Sequence, residues 1–418
     1  MRALKTKAFS TLRWSEKYFN TDMVYLAQGG FWLTLSQLVS SATSFLLIVV
    51  LANLISQETL GEYRFFMSGL LLLSGITLPG MSTAILESTP KGFKRNLEVA
   101  SHQTMRWGFF IGSISLILSI YYFFNKTTSL GIGFLLISIL LSLYTSKQIF
   151  FGYLKSLREF KLFAQYTIIT RLVIVTSMLA GAYLFPKHAW VLILVFLLSN
   201  IVPNYLMQIT VQRKFVRTED VSDPSIQNYA KHLSFLAMIG IVASQIDSLF
   251  IWNFIGPKEL AIFFIANTIP QEILRFLGVM TSLSFPKLAV LNHDTAKTNL
   301  FKKTFKYLVI IITLGLLSVV LMPYFFKYIF PQYMDSIIYG QILMLTIIPA
   351  AFEPISTYFL VKKKKSEIKI ISTIIPIFHI VISLILVKLF GIWGAIATLL
   401  LDAALRVFLL TLLFKKMD

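Results

Sequence analysis

The sequence predicts an all-α polytopic membrane protein: twelve transmembrane helices in two six-helix lobes, related by a pseudo-two-fold axis along the membrane normal around a central cavity. Three observations carry that expectation. The 418 residues are 56% hydrophobic and 14% charged, with a mean hydropathy of +0.75, and a water-soluble domain has no means of burying so much apolar surface. The apolar residues fall into runs long enough to cross hydrocarbon, which takes ~20 residues per helix. One corner also occurs twice. Asn53, Ile55 and Leu60 return as Asn253, Ile255 and Leu260, with Tyr63 answered by Phe263. Internal duplication in a membrane chain points first to a transporter.

Residues 1–23 form a basic lead (Arg2, Lys5, Lys7, Arg13, Lys17) with Leu4, Ala8, Leu12 and Phe19 near helical spacing. This reads as a cytoplasmic amphipathic segment lying in the interface, not a cleaved signal. The first lobe occupies residues 24–212, with spans at 24–53, 62–88, 99–122, 130–152, 162–185 and 188–211. Ser36, Gln37, Ser40 and Ser44 in the first span have the spacing of close helix packing. The second span follows the turn from Ile55 to Leu60, opens on Glu62 and Arg64, and is broken by Leu78-Pro79-Gly80.

Residues 213–229 are a polar cytoplasmic linker. Residues 230–418 hold the second lobe, with spans at 230–255, 259–285, 304–327, 335–360, 366–389 and 392–414. Pro270, Pro349, Pro354 and Pro376 are its kinks, since proline frees a backbone carbonyl and cannot continue the ladder. Trp32, Trp190, Trp252 and Trp393 lie near span ends, as in an interfacial aromatic belt.

Net charge is +19, and its distribution favours membrane topology over nucleic acid. The loops after even spans carry Lys91, Lys94 and Arg95; Lys155, Arg158 and Lys161; Arg213, Lys214 and Arg217; Lys297, Lys302 and Lys303; and Lys362 to Lys365. The odd loops carry single lysines: Lys126, Lys187, Lys258 and Lys327. The positive-inside rule therefore puts the even loops and both termini in the cytoplasm. No nucleotide or metal motif is present, and the absence of cysteine excludes disulfides and thiolate metal sites. Outer loops of a few residues leave no place for the ordered external acids and bases of a membrane enzyme.

Leu51-Ala-Asn-Leu-Ile-Ser-Gln-Glu-Thr-Leu-Gly-Glu-Tyr63 joins an apolar run, an acidic turn and Gly-x-Tyr. Gln245-Ile-Asp-Ser-Leu-Phe-Ile-Trp-Asn-Phe-Ile-Gly-Pro-Lys-Glu-Leu260 forms the equivalent corner of the second half, and Phe390-Gly-Ile-Trp-Gly-Ala-Ile-Ala-Thr398 opens the last span. In these places, and diffusely over the chain, the sequence resembles the Wzx-type O-antigen and polysaccharide flippases. They belong to the multidrug/oligosaccharidyl-lipid/polysaccharide exporter superfamily.

The resemblance implies alternating access and no enzyme activity or cofactor. It implies movement of an undecaprenyl-pyrophosphate-linked oligosaccharide, an O-antigen or capsule repeat unit of lipopolysaccharide-type biosynthesis, across the bacterial inner membrane. It also brings in a polysaccharide polymerase and a chain-length regulator as partners, and coupling to an H⁺ or Na⁺ gradient. Cation-coupled multidrug exporters of the same superfamily share the span count and are the alternative.

Ionisable residues inside the bilayer are the site candidates, because each costs at least ~2.5–3.5 kcal/mol at the helix centre when it faces lipid. Arg275 is placed to attract a diphosphate through its forked guanidinium, with Glu272 three residues earlier on the same face. Arg171, beside Thr167 and Thr170, is a second cavity cation. Lys147 lies near the inner end of the fourth span, within snorkelling reach, and Arg64 pairs with Glu62 at the outer rim. Asp247, near Gln245 and Ser244, and Glu353, before Pro354, are the acids for ion coupling. Asp402 and Arg406, spaced i,i+4, satisfy each other. His379 makes an interhelical hydrogen bond. Spans one and two are expected to face spans seven and eight across the cavity.

Overall fold

The computed structural model describes residues 23–217, 219, 221–289, 293–362 and 364–416, so the basic lead through residue 22 lies outside the described residues. In the first half α1 spans Met23–Leu54, α2 Gln57–Gly75, α3 Met81–Ser88, α4 Asn96–Phe124, α5 Thr128–Ser146, α6 Ile149–Ser156, α7 Phe160–Leu184 and α8 Ala189–Phe215. In the second half α9 spans Ile226–Phe254, α10 Pro257–Ala289, α11 His293–Ile329, α12 Ser336–Leu343, α13 Glu353–Val361, α14 Lys365–Phe390 and α15 Ile392–Lys415. Among the described residues eleven helices are long and apolar enough to cross a membrane. The chain is a multi-pass membrane protein. With the broken second span counted, the crossings number twelve among the described residues. The start of α1 and the end of α15 therefore share one face, here called the basic face. The Asn53 and Asn253 corners lie on the opposite, turn face.

The expected twelfth crossing is the second span, and it is discontinuous. α2 carries Glu58, Glu62 and Arg64 and stops at Gly75. Leu78-Pro79-Gly80 then interrupts the chain, with Leu78 at φ 48°, before α3 resumes. The freed Gly80 N–H donates to Ser234 Oγ of α9 at 3.0 Å, which is how a broken helix is tolerated away from water. The fourth span breaks between α5 and α6 at Lys147-Gln148. Its counterpart six spans on, the tenth, breaks at a 3₁₀ stretch over Met344–Phe352 that contains Pro349.

The two corners reach the same shape by different chemistry. Ser56 caps α2, its hydroxyl accepting the Thr59 N–H at 3.2 Å. At the second corner Gly256 adopts φ 145° and Pro257 opens α10; proline suits the first helical position because its missing N–H is not needed there.

Within the first half, small residues let helices approach closely. Ser115 and Ser119 of α4 donate to Phe134 O and Gly131 O of α5, each at 2.7 Å. Between the halves, α2 packs directly on α9 and α10, and α3 on α9. The second span thus forms the seam between lobes, packed directly on the seventh and eighth where the sequence led one to expect a cavity between them. Phe65 stacks on Trp252 at 4.4 Å, so Trp252 serves the seam and not a lipid-facing belt. On the turn face Asn53 Nδ2 donates to Ile329 O at 2.8 Å and Gln57 Nε2 to Gln332 O. On the basic face the linker is fastened to the first lobe: Arg95 N–H donates to Val221 O at 3.3 Å and Asp223 N–H to Asn96 Oδ1 at 2.8 Å.

Candidate functional site

Two adjoining cavities lie between the turn face and the basic face. The first, about 340 Å³, is between the lobes and is lined by Ser36, Gln37 and Ser40 of α1, Lys155 of α6, Thr167 of α7 and Arg275 of α10. The serine and glutamine strip of the first span, expected to pack, faces this cavity. No carboxylate lines it among the described residues.

Arg275 bonds to Glu272 one turn earlier on α10. Arg64 of α2 and Arg171 of α7 each lie within electrostatic range of Arg275 of α10. Arg64 does not pair with Glu62, which accepts a hydrogen bond from Ser129. Its guanidinium carbon sits 4.4 Å above the Phe264 ring, and its Nε is buried without a hydrogen-bond partner. The quadrupole of an aromatic face offsets part of the cost of a buried cation but leaves the Nε–H donor unused. Neither Arg64 nor Arg171 makes an ion pair with a described residue.

Lys147 stands apart from this group. It caps α5, its Nζ lies 5.3 Å from the Tyr205 ring centre, and it borders a separate recess with Glu98, His102 and Gln208. The cation that lines the cavity with Arg275 is instead Lys155, in the last turn of α6, with Nζ 4.6 Å from the Phe163 ring centre. In the sequence it reads as one more basic loop residue. The break after Ser146 extends a short helix under the cavity and carries it there.

The second cavity, about 590 Å³, lies inside the second lobe, with polar lining from Asn267, Gln271, Thr346, Glu353, Asp402 and Arg406. Gly278 lines both cavities. Arg406 Nη2 donates to Glu353 Oε1 at 3.0 Å, not to Asp402. Glu353 is therefore held in an ion pair between α13 and α15.

Asp402 bonds through Oδ2 to Nδ1 of His379 on α14. The other ring nitrogen, Nε2, lies 3.2 Å from Asp247 Oδ1 on α9 but is not oriented to hydrogen-bond it. Ser383, one turn past His379, donates to the same Asp247 oxygen at 2.5 Å. Side-chain exposure is 12% for Asp247, 7% for His379 and 16% for Asp402. Asp247 thus meets a histidine, and no arginine reaches it. The sequence signal was three isolated polar residues on three apolar helices, which do not reveal that they meet.

The chain has the fold of solved transporters of the MOP superfamily. It is similar over 92% of its length to 96% of an inward-facing multidrug resistance MATE family transporter (TM-score 0.64, 14% identity). It is similar over 94% to 95% of a eukaryotic MATE transporter (TM-score 0.61, 12% identity). A MOP-superfamily transporter from Pyrococcus furiosus, described as having a binding pocket of reverse polarity, matches over 93% of this chain and 95% of its own (TM-score 0.54, 12% identity). No curated protein matches the sequence. The model of the polysaccharide biosynthesis protein family matches residues 26–292, more than half of the chain. The chain belongs to that family.

Proposed function

We propose that the protein is a flippase that carries an undecaprenyl-pyrophosphate-linked oligosaccharide from the cytoplasmic to the outer leaflet of a bacterial inner membrane by alternating access. The observation that carries this reading is the inter-lobe cavity, lined by Arg275, Lys155 and a serine–glutamine strip with no carboxylate among the described residues. Arg64 and Arg171, within electrostatic range of Arg275, make no ion pair with a described residue. A diphosphate brings the negative charge and acceptor oxygens that such guanidiniums lack. The Ser36–Gln37–Ser40 strip offers hydrogen bonds to sugar hydroxyls, while the prenyl chain stays in lipid. On this reading the basic face is cytoplasmic, in keeping with the positive-inside distribution. A polymerase and a chain-length regulator then receive the product on the outer side.

Fold likeness to MATE transporters favours one competitor, a cation-coupled multidrug exporter. An organic cation calls for uncompensated carboxylates or bare aromatic faces. In the second-lobe cavity Glu353 is neutralised by Arg406 and Asp402 by His379, and the inter-lobe cavity is cationic.

The test is leaflet transfer of a fluorescent undecaprenyl-pyrophosphate-linked disaccharide in proteoliposomes, read as protection from an external glycosidase. Wild-type protein accelerates transfer, and Arg171→Met with Arg64→Met lowers the rate at least tenfold at unchanged protein content. Ethidium export by the same proteoliposomes, unaffected by these substitutions, would overturn the reading in favour of drug transport.

A further inference from the structure

The recess beside Lys147, about 400 Å³, lies at the basic end of the first lobe and shares no lining residue with either cavity. α4 gives it Glu98, Ser101 and His102, and α8 gives it Tyr205 and Gln208. α5 packs on both of these helices and ends there, with Lys147 as its cap. The recess therefore sits where the fourth span breaks, away from the proposed cargo path.

Gln208 shows what the recess lacks. It is 2% exposed, and its Nε2 donates to Ser101 Oγ at 2.9 Å. The Ser101 hydroxyl spends its own proton on Ser146 O at 3.4 Å. Ser101 is thus left to accept, which fixes the amide nitrogen of Gln208 as the end that faces it. Gln208 Oε1 remains buried without a hydrogen-bond partner, and a buried acceptor in that state calls for a donor.

Glu98 offers a second acceptor, because Arg95 bonds only its Oε2, at 3.2 Å. Lys147 has the opposite need. Its ammonium makes no ion pair with a described residue and meets only the Tyr205 ring, 5.3 Å from Nζ. A ligand that fits carries a cationic donor and an anion in one small group.

The surroundings say what else it carries. Toward mid-membrane the helices around the recess present exposed apolar side chains: Phe109 on α4, Ile139 on α5 and Val202 on α8. Each lies about two turns from the recess residues of its own helix. A soluble metabolite has no use for that bed, whereas acyl chains do. Tyr205, half exposed at the rim, has the place of an interfacial tyrosine.

We infer that this recess binds one phospholipid of the leaflet on the basic face through a phosphoethanolamine headgroup. The headgroup ammonium donates to Gln208 Oε1 and Glu98, and the phosphate accepts from Lys147. The chains lie over Phe109, Ile139 and Val202. A glycerol headgroup donates to Gln208 but brings no cation to Glu98, and inorganic phosphate brings neither cation nor chains. Lys147 stands two residues before α6, the short helix that carries Lys155 to the inter-lobe cavity. A headgroup held by Lys147 therefore braces that bend.

The site is independent of the cargo, so its test does not read disaccharide transfer. The full chain is delipidated in detergent and titrated with palmitoyl-oleoyl phosphatidylethanolamine or phosphatidylglycerol, and bound lipid is counted by native mass spectrometry. Free phosphoethanolamine and inorganic phosphate compete in parallel arms. A phosphatidylethanolamine with a diazirine in one acyl chain marks the contact residues on irradiation.

One phosphatidylethanolamine is expected to bind at least fivefold more tightly than phosphatidylglycerol, with cross-links around Phe109 and Val202. Lys147→Met is expected to weaken its binding at least fivefold, with Lys147→Gln in its place should that variant fail to fold. Glu98→Gln is expected to narrow the preference over phosphatidylglycerol to less than twofold, and Lys187→Met, on the turn face, to change neither value. Equal or tighter binding of phosphatidylglycerol overturns the inference. So does displacement of the lipid by free phosphoethanolamine at equal concentration, which makes the ligand a soluble one. Unchanged affinity in the Lys147 variants, or cross-links confined to the second lobe, overturns it as well.

Discussion

Arg406 and Glu353 meet between α15 and α13 at 3.0 Å, although Asp402 stands one turn from Arg406 on its own helix. That choice frees Asp402 for His379 and so separates two charge systems in one lobe. The Glu353–Arg406 pair is neutral and partly open to the cavity, with side-chain exposures of 31% and 43%. In the carboxylate–imidazole cluster Asp247 and His379 are buried, and Asp402 alone reaches the cavity.

Double-mutant cycles distinguish the two partners. For a pair as open as Glu353–Arg406, the coupling energy is expected to be between ~0.3 and ~1 kcal/mol. The cycle uses Glu353→Gln and Arg406→Met in a reversible unfolding titration. The equivalent cycle with Asp402→Asn and Arg406→Met is expected to give a coupling near zero. A larger value for the second cycle would place the arginine on the wrong carboxylate.

Gly61 sets how closely the lobes approach on the turn face. A Cβ added there would lie 1.8 Å from Pro257 O, a backbone atom that cannot step aside. Gly61→Leu is therefore expected to force the turn face apart, whereas Gly69→Ala, whose added Cβ would meet the Phe134 ring at 3.0 Å, is accommodated by a small ring shift. A cysteine pair at Gln57 and Gln332 in this cysteine-free chain reads the difference. Cross-linking yield is expected to fall several-fold in Gly61→Leu and to stay near the parent value in Gly69→Ala.

On the proposed function Glu272, bonded to Arg275, is expected to compete with cargo for it. A charge-assisted hydrogen bond contributes roughly 1.5–3 kcal/mol, and part of that is regained when an anion replaces the carboxylate. Glu272→Gln is expected to tighten binding of inorganic pyrophosphate about three- to tenfold, measured by isothermal titration in detergent at low ionic strength. The gain is expected to shrink at high salt. Equal or weaker binding would mean that Glu272 orients Arg275 for the anion and does not compete with it.

The fold was legible because its determinants are one-dimensional. Apolar run length fixes where the chain crosses, and Leu78-Pro79-Gly80 and Pro349 mark two of the three broken helices. The third break, at Lys147-Gln148, has no proline or glycine and was not visible. Arg64, Arg171 and Arg275 were legible singly, because a cation in an apolar run is costly wherever it points. Their electrostatic proximity was not, nor was the choice of partner by Asp402. Helical spacing favoured Arg406, four residues away, but the rotation of α15 against α14 brought His379 nearer. Lys155 was hidden for the same reason: only the bend at the fourth span turns a loop lysine into a cavity cation.

Ser234 makes the clearest stability prediction, because its hydroxyl serves both sides of the seam. It donates to Ala230 O at 2.7 Å within α9 and accepts the Gly80 N–H at 3.0 Å from the break in the second span. In Ser234→Ala the Gly80 amide is left buried without an acceptor, since a protein interior offers no substitute, at a cost of roughly 1–3 kcal/mol. Ser113→Ala removes an equivalent local bond, to Phe110 O at 2.6 Å on an exposed face, and is expected to change stability by less than ~0.5 kcal/mol. Unfolding in mixed detergent gives the two values. Hydrogen exchange at the Gly80 amide gives the cause: it is expected to quicken at least tenfold in Ser234→Ala and to stay unchanged in Ser113→Ala. If Ser234→Ala lost stability while the Gly80 amide stayed protected, the cost would lie within α9 and the bond across the lobes would carry no weight.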